Sequence, residues 1–173
     1  MKLINSSLLS ENVVAFLILL KIKSLAQRYF IELAYRGTNF HGWQFQPNAA
    51  SAQECLEKAL SAITREKIAV TGAGRTDTGV HASYYVAHFD SGKQNLDSRD
   101  FVYKLNSFLG DDIVIFKVTK VSSEAHARFD AVSRTYQYHL NLLKDPFALE
   151  TSWHFFRPLD LVQMNAACHI LFE

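Results

Sequence analysis

KIAVTGAGRTDTGVHASYYVAHFD, Lys67–Asp90, is the stretch from which the architecture of this chain is read. Its two ends, Lys67–Ala73 and Tyr84–Asp90, are rich in β-branched and aromatic residues and read as strands. Between them, Gly74–Ser83 reads as a loop punctuated by glycine. Upstream, Ser51 opens a helix through about Thr64, with Glu54 completing an S-x-x-E capping box. Cys55, Leu56, Ala59, Leu60 and Ile63 form its apolar face. A loop containing Gly37, Asn39, Gly42, Pro47 and Asn48 separates that helix from an aromatic, β-branched strand, Arg28–Tyr35. Downstream, Asp97 or Ser98 caps a second helix with Phe101, Val102, Leu105, Phe108 and Leu109 on one face, and Gly110 stands where a C-cap belongs. Asp112–Val121 reads as a fourth strand. The order β-α-β-β-α-β predicts an α+β fold with the ferredoxin-like split βαβ arrangement.

Beyond it, Val132–Leu142 reads as a further strand and Asp160 starts a third helical pattern. That pattern reaches Glu173 without a glycine or basic stop signal, so the sequence is expected to be truncated there. The expected organisation is an N-terminal, non-catalytic extension at 1–27, an α+β domain at 28–125, and the start of a second α+β domain at 126–173.

Of the 173 residues, 49% are hydrophobic and 20% charged, a globular profile that excludes disorder of the whole chain. A net charge of +1 does not announce a nucleic-acid binder, so an RNA surface must be a local cluster. Arg128 and Arg134 are such a cluster, although a solvated strand edge explains two arginines equally well. Cys55 and Cys168 have no CxxC or Cys–His spacing and the histidines no HExxH, which predicts neither disulfide framework nor metal and suits a reducing cytoplasm. Val13–Leu20 is apolar but shorter than the roughly 20 residues that cross a bilayer. Glu11 before it and Lys21 and Lys23 after it invert the charge order of a signal peptide. The segment reads as an extension from a start codon placed too far upstream, with no membrane partner.

The loop Gly72–Ala82 carries the chemistry. Three glycines allow backbone conformations closed to other residues and let a ligand approach. A carboxylate, with an unperturbed pKa of about 3.9, is an anion at neutral pH unless burial raises that value. Arg75, two residues from Asp77, offers a counter-charge. At about 4 Å and an effective dielectric near 20 the attraction is on the order of 4 kcal/mol before desolvation. Such a pair suits covalent catalysis by a carboxylate. Thr76-Asp77-Thr78-Gly79 is equally an ordinary turn, with Asp bonding local backbone and Gly at positive φ. The loop is neither a Walker A nor a dinucleotide fingerprint.

Three motifs in order, AYRGTNFHGWQ, GAGRTDTGVHA and HARFDAVSRTYQY, resemble the tRNA pseudouridine synthase A family, from about Arg28 to the chain end. The resemblance implies the corresponding half of the pseudouridine synthase fold, followed by the start of a second half. It implies a cofactor-free, homodimeric isomerase that converts uridine to pseudouridine in the anticodon stem-loop of tRNA. The family's catalytic aspartate falls on Asp77, the motif's arginine on Arg75 beside the carboxylate and the RNA, and the tyrosine that contacts the target base on Tyr136. Reaching that base means flipping it out, at a few kcal/mol, and stacking on an aromatic returns roughly 1–3 kcal/mol. Asp77 is expected to act by covalent attack or by stabilising and deprotonating an intermediate. His41, Trp43 and His81 read as loop-ordering residues. His126 and Arg128 read either as RNA contacts or as hydrogen-bonding elements of a loop. Two other readings are a ferredoxin-like RNA-binding module without catalysis, whose RNP1 pattern is absent, and an inactive truncation product.

Overall fold

The computed structural model describes residues 26–172, which divide after Val132 into two compact units. Most of the expected extension therefore lies outside the described residues. The first unit contains β1 (Gln27–Tyr35), a 3-10 turn (Gly37–Asn39), α1 (Ala52–Thr64), β2 (Val70–Gly72), β3 (Ala82–Ser91), α2 (Arg99–Phe108) and β4 (Ile113–Val121). Its four strands form one antiparallel sheet in the order β2-β3-β1-β4.

Strand alternation sets the core. Tyr29, Ile31, Leu33 and Tyr35 of β1 are buried on one face, together with Tyr85, Ala87 and Phe89 of β3 and Ile113, Ile115 and Val118 of β4. Leu56, Ala59 and Leu60 of α1 and Phe101 and Leu105 of α2 close over them. The other face keeps Tyr84, Val114 and Phe116 exposed.

Ser51 caps α1 by accepting the Glu54 N–H at 3.2 Å. The reciprocal half of the expected capping box is not formed: the Glu54 carboxylate pairs with Lys58 at 2.6 Å, one turn along the solvent face. Ser98 is the cap of α2, accepting the Phe101 N–H.

Both sheet edges are occupied by helix side chains. On β2, the Val70 N–H donates to Glu57 Oε1 at 2.8 Å and the Val70 carbonyl accepts from Gln53 Nε2 at 2.9 Å. On β4, the Asn106 amide engages both backbone groups of Ile115, at 2.7 and 2.9 Å. This explains why β2 is only three residues long where Lys67–Ala73 was expected: Ile68 N–H is taken by Ser61 Oγ rather than by a strand.

Gly110 does not cap α2 in a left-handed conformation. The helix ends with Leu109 extended, its N–H on the Leu105 carbonyl, and Gly110 is not among the positive-φ residues. A Cβ there would meet nothing within 4 Å. Gly110→Ala is therefore expected to stabilise the chain by about 0.4–1 kcal/mol, by restricting the unfolded state. Urea denaturation checks this, and a loss of stability would show that the position needs glycine's freedom.

The second unit has a two-residue parallel pair, β5 (Leu140–Asn141) with β6 (Trp153–His154), and α3 (Leu161–Cys168). Asp160 caps α3 by accepting the Val162 and Gln163 N–H groups. The long strand expected over Val132–Leu142 is a correction: only Leu140–Asn141 is extended in a ladder. A strand needs a hydrogen-bonded neighbour, and none runs beside 132–139 among the described residues, where Val132 and Tyr138 are fully or almost fully exposed. No helix among the described residues is long and apolar enough to cross a membrane.

Candidate active site

The loop between β2 and β3 is held by the loop that follows β1. The Trp43 N–H donates to the Thr76 carbonyl at 3.3 Å, and the Gly79 N–H to the Phe40 carbonyl at 3.2 Å. The Gly37 N–H donates to His81 Nδ1 at 3.2 Å, and the Tyr35 and Thr76 hydroxyls are 2.8 Å apart. Beneath these contacts Trp43 and Tyr85 pack with ring centroids 4.3 Å apart, and the Tyr85 hydroxyl donates to the Gly74 carbonyl. Glycine is required where the backbones meet. A Cβ on Gly37 would lie 2.1 Å from the Val80 carbonyl oxygen, and one on Gly42, at φ +83°, 2.3 Å from that of Thr76. At the far end of the first loop, Asp112 accepts from Arg36 and Asn39. Those two hydrogen bonds, Asn39's first, hold its carboxyl below the ordinary carboxylate range.

Thr76 is tethered inward, and the residues on either side of it, Arg75 and Asp77, are exposed. The turn reading is correct for the main chain: the Val80 N–H donates to the Asp77 carbonyl at 3.2 Å, with Gly79 at φ +79°, as a type II turn demands. That turn uses none of the Asp77 side chain, whose carboxylate has no hydrogen-bond or ion-pair partner among the described residues. The expected Arg75–Asp77 ion pair is therefore a correction. Both groups stay in water, where an ion pair gains only about 0–1 kcal/mol and does not fix two side chains.

Arg75 instead lines a shallow cleft of about 180 Å³ with Trp43, Gln44, Gln53, Gly74 and Arg128. Two guanidiniums, those of Arg75 and Arg128, are among its lining. His81 and Trp43 order the loops through Nδ1 and through packing, whereas the His41 side chain is exposed. His126 Nδ1 accepts from the Arg128 and Phe129 N–H groups, the loop-ordering role. Tyr136 belongs to the second unit, 61% exposed in a stretch without regular structure. Gly37, Gly42 and Trp43 mark the two loops in the sequence, but no local signal marks Thr76, Tyr35 and Tyr85 as their clamp.

The α+β unit thus presents an unpartnered carboxylate on a loop held by backbone contacts to the loop after β1. The model of the family described as tRNA pseudouridine synthase matches residues 33–130, and the chain belongs to that family. It is similar to tRNA pseudouridine synthase A of Bacteroides fragilis, 52% identical over 147 residues that cover 85% of this chain and 58% of the relative. The Bacteroides thetaiotaomicron enzyme of the same name is also 52% identical, over 85% of this chain and 54% of its own length. That of Thermoanaerobacter pseudethanolicus is 41% identical over 82% of this chain and 58% of its own length. The chain thus spans between 54% and 58% of the length of these curated relatives. Arg75, Asp77 and Arg128 fall inside the family match, and Tyr136 falls outside it.

Proposed function

We propose that this chain is the catalytic part of a cytoplasmic tRNA pseudouridine synthase acting on uridines of the anticodon stem-loop, with Asp77 as its catalyst, working as a pair of copies when full length. The observation that carries the reading is the Asp77 carboxylate: solvent-facing and without a partner, on a loop whose neighbours are fixed by backbone contacts on both sides. A group held this way is ready for a substrate rather than spent on the fold. Family membership and the names of the relatives support the reaction. The order of elements and the strand order β2-β3-β1-β4 support reading 28–125 as the ferredoxin-like β-α-β-β-α-β half of the synthase fold, with 126–173 opening its second half.

In the reaction, the C1′–N1 bond of uridine breaks, the ring turns, and C5 bonds to C1′. The hydrogen on C5 leaves as a proton while N1 gains one. Asp77 is the nucleophile or the base in this sequence, Arg75 grips the RNA from the cleft wall, and Tyr136 offers its exposed ring to the extruded base. No redox partner is needed, because bonds are exchanged within one nucleotide without net oxidation, and the reading includes no cofactor or metal.

The test follows from the C5 proton. The 173-residue chain incubated with tRNA carrying tritium at C5 of uridine is expected to release tritium in proportion to pseudouridine formed. Pseudouridine formed without tritium release, or tRNA bound without either product, would refute the assignment for this chain.

A further inference from the structure

Two imidazoles dock the segment after β4 back onto the sheet. His88 of β3 is only 6% exposed, and its Nδ1 accepts the Ala127 N–H at 3.1 Å. The His126 ring lies 4.6 Å away, edge to face, and its own Nδ1 accepts from Arg128 at 3.2 Å and Phe129 at 3.3 Å. Phe129 stacks on His126 at 4.2 Å, and the His126 main-chain N–H donates to Asp130 Oδ2 at 2.8 Å. Three consecutive amides thus depend on two ring lone pairs. Such a lone pair exists only in the neutral imidazole with its proton on Nε2. A proton taken up at Nδ1 turns the acceptor into a donor aimed at an N–H group.

The same tight loop carries Arg128 to the cleft that Arg75 lines. Two guanidiniums and no carboxylate in one cleft suit phosphate, which the planar fork of arginine matches. The charged groups facing His88 are few. Arg28 forms a two-pronged pair with Asp90 and also donates to the Ala125 carbonyl. Burial first, then Arg28 and His126, push the His88 pKa below the ordinary histidine value, while Asp90 acts the other way. Glu124 acts on Arg28, and Asp130 faces His126 only through the backbone.

We propose that His88, with the His126 ring packed against it, is a proton-sensitive latch, a positioning residue that holds Arg128 beside Arg75 as a second phosphate-gripping side chain of the RNA cleft. The ligand's identity rests on the function proposed above, whereas the latch is a property of the first unit alone. With the His88 ring uncharged the loop is docked. Acidification charges the His88 ring, frees the Ala127 amide and loosens the loop that carries Arg128.

The full chain tests this with two readouts, amide exchange of 127–129 corrected for intrinsic rate, and binding of an unmodified tRNA transcript. Protection of the Ala127 amide in the wild type is expected to fall at least about tenfold from pH 7.5 to 5, since its hydrogen bond to His88 is lost. His88→Asn places an oxygen acceptor near Nδ1 that does not titrate, so the Ala127 amide should stay protected in acid. The affinity of wild type relative to His88→Asn should be near one at pH 7.5 and fall below it at pH 5. Arg128→Gln should weaken tRNA binding about tenfold and lower the salt dependence by about one counterion, with the amides still protected. Protection that ignores pH in the wild type, or an Arg128→Gln chain that binds tRNA like the wild type, overturns the proposal. A wild-type chain that does not bind tRNA while its amides still open in acid would sink the proposed function and the RNA role of Arg128, and leave the latch standing.

Discussion

Asp77→Asn is expected to cut pseudouridine formation by at least about a thousandfold while leaving tRNA affinity within about twofold. The carboxamide has the shape of the carboxylate but neither its charge nor its strength as nucleophile or base. Because the Asp77 side chain has no partner among the described residues, the substitution removes no contact from the fold. Stability should stay within about 0.5 kcal/mol, as at other surface positions. The experiment separates two readings of one residue. If Asp77 serves only the 77–80 turn, asparagine serves as well, since it is an equally good turn former and the hydrogen bond comes from the backbone carbonyl. Normal turnover by Asp77→Asn would therefore return this loop to ordinary turn chemistry.

Gly42→Ala is expected to destabilise the chain by at least about 2 kcal/mol and to cost about a hundredfold in turnover. Alanine at φ +83° is strained by roughly 1–2 kcal/mol, and its Cβ would stand 2.3 Å from the Thr76 carbonyl oxygen. Backbone, not a flexible side chain, is what it meets, so the two loops must part. The shift falls on Thr76, the residue between Arg75 and Asp77, and misplacing reacting groups by about 1 Å costs on the order of a hundredfold. Gly79→Ala is the control. It shares a positive φ, but a Cβ there meets nothing within 4 Å, so it should carry only the backbone cost. Guanidinium unfolding and tritium release read the two effects. Equal midpoints for Gly42→Ala and the wild type would mean that the loops are not clamped as described.

What could be read from the sequence follows the range of the forces involved. Alternation in Arg28–Tyr35 and the Ser51 and Ser98 caps are local, and the structure has them in place. Val132–Leu142 has the composition of a strand, but a ladder depends on a neighbour that composition does not reveal. The pairing of Arg75 with Asp77 was inferred from a spacing of two residues, which does not fix where side chains point once Thr76 is tied to Tyr35. Gly37 and Gly42 read as loop glycines, and their real constraint comes from the Val80 and Thr76 carbonyls, 43 and 34 residues away in sequence, beyond the reach of turn rules. His88 sat unremarked in a strand pattern, and only the return of Ala127 to its ring gives it a task.

Where a neighbouring strand would bring an amide and a carbonyl, α1 supplies Glu57 and Gln53 at Val70, and α2 supplies Asn106 at Ile115. Each helix thus imitates one residue of a foreign strand, and the exposed Lys117 and Lys120 follow the second mimic along β4. A loose β-segment from another molecule meets rims already spoken for and must evict a side chain to attach. At Val70 and Ile115 the edges of the sheet thus carry their own guard against templated fibre growth.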